Sequence, residues 1–213
     1  LVLNSTFKHM KKNLIIIVLF LLNSCSEGFL EVQPKSNIFI PEKAEDLQRL
    51  LDNFELVGNV AVLPHLSADE YYISSESNWL TSRTAVERNT YIWDLDVYGG
   101  EVKIDDWNAP YRTVFYVNNI LNQIAKNADL NNLDEQLSDI YGQALFFRAA
   151  AYYDLVANFS VPFDASTQST DLGVPLRTDP SIDYTTGRSS VKECYDFIFN
   201  DLSSAIGFLR NNK

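Results

Sequence analysis

The segment Ala144-Leu-Phe-Phe-Arg-Ala-Ala-Ala-Tyr-Tyr-Asp-Leu-Val-Ala157 decides the fold class. It is apolar on nearly every side and lies inside a longer predicted helix, Asn132–Asn158, which opens with a box-like cap at Asn132-Leu-Asp-Glu135. A helix that is apolar all round is normally enclosed by neighbouring elements. The segment therefore predicts a bundle of packed helices.

Three further segments carry apolar residues at helical spacing, and no long stretch alternates as a strand would. They are Pro41–Phe54, Asp106–Lys126 and Ser190–Arg210. Pro41 suits the first helical position, and Ser190-Val-Lys-Glu193 is a capping box. On the first helix we expect the inward face to hold Leu47, Leu50, Leu51 and Phe54. On the second, the expected stripe is Trp107, Tyr111, Val114, Asn118, Leu121 and Ala125.

Two long stretches between these helices have no helical period. They are Glu55–Asp105, with short strands expected around Thr90–Trp93, and Phe159–Ser189. Loops of this length in a compact domain are usually functional or pack onto something. We therefore predict an all-α fold of tetratricopeptide-like helical pairs with long irregular loops, although no clean 34-residue repeat is visible.

Two polar residues interrupt the apolar stripes of the predicted helices. Asn118 lies on the second helix, and Arg148 lies on the third. Because buried polar groups need partners, both are interpreted as structural. We expect them to bind loop carbonyls or a carboxylate such as Asp154 or Asp201.

The N-terminus has the pattern of an export signal. Lys8, Lys11 and Lys12 precede nine apolar residues, Leu14–Leu22, and then Asn-Ser-Cys25. Nine helical residues rise only about 14 Å, against a hydrocarbon core of roughly 30 Å, so a secretory signal is favoured over a membrane span. Leu22-Asn-Ser-Cys25 resembles a bacterial lipobox.

The lipobox resemblance implies a division of the N-terminal residues. Residues 1–24 would be a signal peptide, with 1–9 an over-long start before Met10, and residues 25–40 a tether lipidated at Cys25. Two or more acyl chains hold a protein stably at a membrane. The alternative is an ordinary cleaved signal with a chance cysteine.

The charge of the chain argues against several partners. Residues 1–24 hold three lysines and no acid, so a mature chain has 14 basic and 28 acidic residues, a net charge of −14. Such a surface repels phosphate backbones and anionic head groups, so we expect no nucleic acid and a membrane contact made by the lipid anchor. Cys194, on an apolar helical stripe, is interpreted as a buried structural thiol rather than a nucleophile.

The segment Glu70–Arg83 is the candidate ligand surface. Sugar recognition needs flat aromatic faces, together with amides, carboxylates or guanidinium groups for the hydroxyls, and this segment combines them on a predicted loop. The candidate ligand-binding residues are Tyr72, Asn78, Trp79 and Arg83. The alternative is that these aromatic side chains only cover the helices beneath.

No residue set predicts catalysis, a metal or a cofactor. His65 is the only histidine after residue 24, which excludes a histidine-based triad and disfavours zinc. Asp94-Leu-Asp-Val-Tyr-Gly99 matches the front of a calcium loop, but its twelfth position is Asp105 rather than Glu. Glu70 and Glu76 could form a glycosidase pair, although with 28 acidic residues a chance pairing is the simpler reading.

Several blocks in order resemble the SusD/RagB family of nutrient-uptake lipoproteins. After the lipobox come Phe29-Leu-Glu-Val-Gln-Pro34, Asp46-Leu-Gln-Arg-Leu-Leu51, Trp107 with Tyr111, Val117-Asn-Asn-Ile-Leu121, Gly142-Gln-Ala-Leu-Phe-Phe-Arg-Ala149, Gly173-Val-Pro-Leu176 and Tyr195-Asp-Phe-Ile-Phe-Asn-Asp-Leu202. No single block is specific, whereas the ordered series is. One departure is Ser160, which stands where the family usually has glycine before Val-Pro.

The resemblance implies a non-catalytic outer-membrane lipoprotein facing the cell exterior. It would bind oligosaccharides and deliver them to a TonB-dependent, SusC-like transporter, over which it lies as a lid. Family members are much longer, so residues 41–213 are expected to form the N-terminal portion of a SusD-like helical domain. The alternatives are a peptide-binding lid, as in the RagB branch, a helical scaffold for a protein partner, and a carboxylate hydrolase.

The lipobox interpretation predicts acylation of Cys25. The exported protein should partition into detergent and incorporate radioactive palmitate, and Cys25→Ala should abolish the label and release the protein. A wild-type protein that is exported without label would contradict the interpretation.

Overall fold

Three long helices dominate the structure. The computed structural model describes residues 41, 43–58, 61–82, 84–181, 183 and 185–210, so Cys25 and Arg83 lie outside the described residues. The helices are α1 Ala44–Leu51, α2 Phe54–Val57, α3 Leu63–Leu66, α4 Glu76–Ser82, α5 Ala85–Tyr91, α6 Asp105–Asn127, α7 Glu135–Phe159 and α8 Val191–Arg210. Between the described residues the one β feature is an isolated antiparallel bridge, Leu172 with Ser190. The predicted all-α class is confirmed.

Helices α6, α7 and α8 form an antiparallel series with α7 in the middle. The start of α6 lies at the end of α7, where the rings of Trp107 and Phe159 are 5.0 Å apart. The start of α7 lies at the end of α8, where Ser138 Oγ donates to the Phe208 carbonyl at 3.0 Å. Helix α7 therefore packs between α6 and α8. Phe146 and Tyr153, on its remaining side, are about half-exposed, so the prediction that neighbouring elements enclose this helix is wrong for that side.

The buried side chains of this series form two apolar clusters. One joins α1 to α6, α7 and the end of α8, through residues that include Leu47, Leu51, Val117, Ile120, Ile140, Ala144 and Ala205. The other joins α6, α7, α8 and the loop before α8, through Val114, Tyr152, Leu155, Val174, Cys194 and Ile198 among others. Full burial of one such aliphatic side chain contributes roughly 1.5–3 kcal/mol.

A polar network crosses the middle of the helix series. Arg148 on α7 donates from Nε and Nη2 to the two carboxylate oxygens of Asp201 on α8, at 2.7 and 2.8 Å. Its Nη1 donates to Asn118 Oδ1 on α6 at 2.9 Å, and Asn118 Nδ2 donates to the Arg177 carbonyl at 2.9 Å. The Arg148 and Asp201 side chains are 12% and 9% exposed. One guanidinium thus links three helices, and Asn118 extends the link to a loop.

The first predicted helix is shorter than expected. The helix begins at Ala44 rather than Pro41 and ends at Leu51, and the Asn53 side chain accepts from the Glu55 amide to start α2. This restart turns Phe54 out to solvent, so its predicted inward position is wrong. Leu47 and Leu51 are buried as predicted.

Two details of the long helices also differ from the sequence prediction. The N-cap of α7 is Asp134, whose carboxylate accepts from the Leu137 amide, and the predicted box at Asn132 is wrong. On α6, Ile124 is buried and Ala125 is exposed, so the last position of the predicted stripe is wrong. The capping box at Ser190 is confirmed by reciprocal hydrogen bonds with Glu193.

The predicted irregular stretch after α1 contains short helices. They are α2 to α5, of which α2 begins at Phe54, one residue before the stretch, and α5 continues to Tyr91, where strands were expected. Because each helix has only four to seven residues, too few to show a period, the pattern was missed. The second stretch is irregular as predicted over its described residues, 160–181, 183 and 185–189.

The polar network predicts that Arg148→Ala lowers the free energy of unfolding substantially. Removing the guanidinium leaves Asp201 buried without its ion-pair partner, which typically costs about 3–5 kcal/mol. Chemical denaturation followed by circular dichroism measures the change in unfolding free energy. The control is Arg49→Ala, because Arg49 pairs with Asp46 at an exposed site, where such pairs contribute roughly 0–1 kcal/mol. Equal stabilities of the two variants would contradict the structural role of Arg148.

Candidate functional site

An open cleft of about 370 Å³ lies where α3, α5 and the end of α7 meet. Three aromatic side chains line it, together with polar side chains that can meet a ligand's hydroxyl groups. The aromatic residues are Trp93, Tyr98 and Phe159, and the polar ones include Thr90, Asp94 and Asn158. The cleft combines flat apolar faces with hydrogen-bonding groups.

Trp93 is an exposed and tightly positioned side chain. It is 75% exposed, yet its indole Nε1 donates to the Ser67 carbonyl at 3.1 Å. Its backbone is in the left-handed region, with φ of 57°, which a bulky residue rarely adopts. Such a conformation costs on the order of 1–3 kcal/mol and persists where the surroundings enforce it, commonly at functional sites. Trp93 is therefore presented to solvent at a fixed angle.

The loop that follows Trp93 is fastened to α5. Asn89 Nδ2 donates to the carbonyls of Asp96 and Val97 at 3.2 and 3.3 Å. Asp96 Oδ1 accepts from the amide of Gly99, whose φ of 55° favours a residue without a side chain. These bonds hold the turn between Trp93 and Tyr98, so the two cleft aromatics have fixed positions.

Acidic groups give the cleft a negative environment. Asp106, buried at the start of α6, accepts from the amides of Val62 and Leu63 at 2.9 and 2.8 Å and so caps α3. Burial and, to a smaller extent, the charge of Asp106 raise the pKa of Tyr98. The Tyr98 phenol thus remains protonated at neutral pH and can donate a hydrogen bond. Carboxylate oxygens and this donor suit a neutral, hydroxyl-rich ligand.

The predicted ligand residues lie on and before α4 rather than on a loop. Tyr72 is 82% exposed and precedes the helix, whereas Asn78 and Trp79 are part of it. Asn78 Nδ2 donates to Ser74 Oγ at 3.2 Å. Trp79 is half-buried, and its indole N–H is enclosed without an acceptor among the described residues. Arg83 lies outside the described residues.

Sequence reasoning missed Trp93. The neighbouring Asp94-to-Gly99 segment indicates a turn, but it does not indicate the conformation of the tryptophan that precedes it. In the structure, a carboxylate oxygen of Asp94 and one of Asp96 each accept a hydrogen bond from a backbone amide. These two bonds form a turn. In the portion of the chain that the structure describes, no group of three or more acidic, histidine or cysteine side chains could hold a metal ion.

Cys194 is buried, as predicted. Its thiol contacts the Val174 backbone, with the Val174 amide donating to Sγ at 3.4 Å. Burial raises the pKa of the thiol, which disfavours the nucleophilic thiolate. Cys194 therefore packs the loop before α8 onto the helices.

The described part of the chain is thus an all-α protein with an open aromatic cleft. A family model described as "Starch-binding associating with outer membrane", the SusD-like family, matches residues 28–213. The chain belongs to the SusD-like family. Among the described residues, no helix combines the length and apolar composition needed to cross a membrane.

Solved structures share this fold. A SusD superfamily protein from Bacteroides thetaiotaomicron is 19% identical, with a TM-score of 0.56 over 78% of this chain and 37% of its own. A protein from Bacteroides vulgatus assigned a sugar-binding role is 23% identical, with a TM-score of 0.57 over 78% of this chain and 36% of its own. The matched region therefore spans little more than a third of these proteins. No curated protein is significantly similar to the chain.

Because Asn89 holds the loop of residues 93–100, Asn89→Ala should raise the rate of hydrogen exchange in that loop only. Without the Asn89 side chain, the carbonyls of residues 96 and 97 lose their hydrogen-bond donor. The backbone amides of residues 93–100 should then exchange with deuterium faster. Exchange in α7 should not change. Asn127→Ala is the control, because Asn127 makes a comparable bond to the Gln123 carbonyl at the far end of α6. Unchanged exchange in residues 93–100 would show that Asn89 does not hold this loop.

Proposed function

We propose that this protein is a non-catalytic surface lipoprotein that binds oligosaccharides in the Trp93 cleft. It then delivers them to a TonB-dependent outer-membrane transporter. The observation that carries the proposal is the exposed, rigidly held Trp93 beside hydroxyl-binding groups, in a chain whose family is described as starch-binding.

The chemistry of the cleft suits a sugar ring. The C–H face of a pyranose is apolar and packs on a flat aromatic surface such as the Trp93 indole. Its hydroxyls can donate to Asp94 and Asn158 and accept from the Tyr98 phenol. Because the Trp93 side chain is already fixed by Ser67, little conformational entropy is lost when a ligand binds. At about 370 Å³ the cleft is small for a ligand pocket, which fits a short part of a longer chain.

A second area of the surface is proposed to extend the binding site. Tyr72, Asn78, Trp79 and Arg83 remain the candidates there. Tyr71, next to Tyr72, packs against Tyr91 of α5 with ring centroids 5.9 Å apart, so this segment adjoins the helix that leads into Trp93. An oligosaccharide longer than the cleft would then continue toward α4.

Anchoring and delivery complete the proposal. Lipidation at Cys25 would hold the protein at the outer membrane, the location in the family description. A binding role without catalysis agrees with the bonding of Asp94 and Asp96. Each carboxylate accepts a hydrogen bond from a backbone amide, and the two are not paired across the cleft. The transporter as receiving partner rests on the family resemblance of the sequence.

The test is calorimetric titration of the protein with defined oligosaccharides. Maltoheptaose represents starch, and xylohexaose, mannohexaose and a mixed-sequence hexapeptide represent other ligands. Trp93→Ala should weaken binding of the preferred oligosaccharide by about 1–3 kcal/mol, by analogy with bases stacked on aromatic side chains, or roughly 5- to 150-fold in Kd. Leu95→Ala is the control, since Leu95 is a fully exposed apolar residue of the same loop.

Each other result points to a different function. Loss of binding in Trp79→Ala but not in Trp93→Ala would place the site on α4. Preference for the hexapeptide would favour a peptide-binding lid. Cleavage of the sugar during titration would favour a hydrolase, and no binding of any ligand would contradict the proposal.

A further inference from the structure

A second cleft, of about 320 Å³, lies beside the Trp93 cleft. It is bounded by the starts of α5 and α6 and by the residues around the start of α3. Aliphatic side chains that include Ala85 and Val86 form part of its wall, and Glu101, Lys103 and Asp105 are among its polar residues. Like the Trp93 cleft, the second cleft therefore combines apolar contact surface with hydrogen-bonding groups.

The two clefts adjoin at the start of α3, because Leu63 and Asp106 line both of them. Helix α5 runs past both clefts as well. Residues 84–87 line the second cleft, whereas Thr90 and Trp93 line the Trp93 cleft. The seven residues of α5 rise about 10 Å, so the two clefts follow one another along this helix. A ligand that leaves the Trp93 cleft along α5 therefore enters the second cleft.

Asp106, where the two clefts adjoin, keeps one carboxylate oxygen for a ligand. Its Oδ2 accepts from the amides of Val62 and Leu63, whereas its Oδ1 accepts no hydrogen bond from the part of the chain that the structure describes. The residue is 9% exposed, and its position is fixed by these two bonds. Because a carboxylate oxygen is a strong acceptor, a sugar unit that passes from one cleft to the other can donate a hydroxyl hydrogen to Oδ1.

Internal hydrogen bonds hold the polar wall of the second cleft in place. Thr84 and Glu87 form a reciprocal capping box at the start of α5. Glu101 Oε1 accepts from the amides of Val102 and Lys103 at 3.0 and 2.9 Å, which fixes the turn that leads into α6. The cleft is therefore formed before a ligand arrives, and little conformational freedom is lost on binding.

The charge of the second cleft restricts the ligand. Glu87, Glu101, Asp105 and Asp106 bring four carboxylates to it, and Lys103 is the one basic residue that lines it within the described ranges. These carboxylates repel an acidic group on a sugar, whereas sugar hydroxyls can donate to them. The second cleft therefore suits sugar units without carboxylate or sulfate groups.

We propose that the second cleft is a further sugar subsite, so that the two clefts together bind one oligosaccharide without acidic groups. This inference rests on the proposed function, because it requires a sugar in the Trp93 cleft. Together the clefts reach the middle of the range of about 300–1,000 Å³ typical of ligand sites, whereas each alone is near its lower end. The path along α5 agrees with the proposed extension toward α4, since Thr84 lies two residues after α4 ends.

The experiment is calorimetric titration with neutral sugars of two lengths. Maltoheptaose, xylohexaose and mannohexaose are compared with maltotriose, xylotriose and mannotriose. The long sugar of highest affinity should bind at least about tenfold more tightly than its trisaccharide, because only the long sugar reaches both clefts. Ala85→Leu narrows the second cleft at an exposed position. It should weaken binding of the long sugar by about tenfold and leave binding of the trisaccharide unchanged.

Ala125→Leu is the matched control, because Ala125 is an exposed helical alanine near the other end of α6 and lines neither cleft. It should change neither affinity. Both leucine variants should unfold at the same denaturant concentration as the wild type, since the substituted side chains are exposed. Hexagalacturonate, which carries a carboxylate on every unit, should bind at least about tenfold more weakly than the best neutral sugar.

The outcomes separate the second cleft from the Trp93 cleft. If Trp93→Ala weakens binding and Ala85→Leu does not, the sugar site ends at the Trp93 cleft, and the second subsite is overturned while the proposed function stands. Equal weakening of the trisaccharide and the long sugar by Ala85→Leu would also overturn the second subsite. So would binding of hexagalacturonate as tight as that of the best neutral sugar. Absence of binding by every oligosaccharide would overturn the subsite and the proposed function together.

Discussion

The ion pair between Arg148 and Asp201, with the bond from Arg148 to Asn118, fixes how the three long helices pack against one another. A guanidinium placed between three helices must satisfy its donors there, and it does so with both oxygens of Asp201 and with Asn118. Asn118 and Tyr152 then both donate to the Arg177 carbonyl, at 2.9 and 2.8 Å. The same polar centre thus fixes the register of the helices and the position of the loop before α8. Apolar packing alone tolerates small shifts, whereas this geometry specifies one arrangement.

That register determines the shape of the cleft. The cleft wall includes Asn158 and Phe159, the last residues of α7, and Asp106, near the first residue of α6. These ends meet because α6 and α7 are antiparallel, and the Trp107 ring against Phe159 keeps them together. Asp106 in turn caps α3, whose following residue, Ser67, accepts the indole N–H of Trp93. A chain of contacts therefore connects the helix core to the proposed sugar platform.

The long helices were predictable from the sequence, and the cleft was not. Apolar periodicity over five to seven turns gave α6, α7 and α8 to within a few residues. The interruptions at Asn118 and Arg148 pointed to loop carbonyls or a carboxylate such as Asp154 or Asp201, and the carboxylate that Arg148 pairs with is Asp201. The short helices α2 to α5 depend on tertiary contacts, such as the Asp106 carboxylate that caps α3, and leave no periodic signal. Trp93 gains its role from a left-handed backbone and a bond to Ser67, 26 residues away along the chain, which no local pattern reveals.

Stacking of an oligosaccharide on Trp93 can be observed directly through the indole N–H groups. The chain has three tryptophans. Trp79 is half-buried on α4, Trp93 is exposed on a loop, and Trp107 packs against the helix core. In protein labelled with ¹⁵N-tryptophan each indole N–H gives one resonance, and single Trp→Phe variants assign them. Titration with the oligosaccharide of highest affinity should shift the Trp93 indole resonance selectively and leave the Trp107 resonance unchanged. A shift confined to Trp79, or saturation of binding without any change at Trp93, would contradict an oligosaccharide site on Trp93.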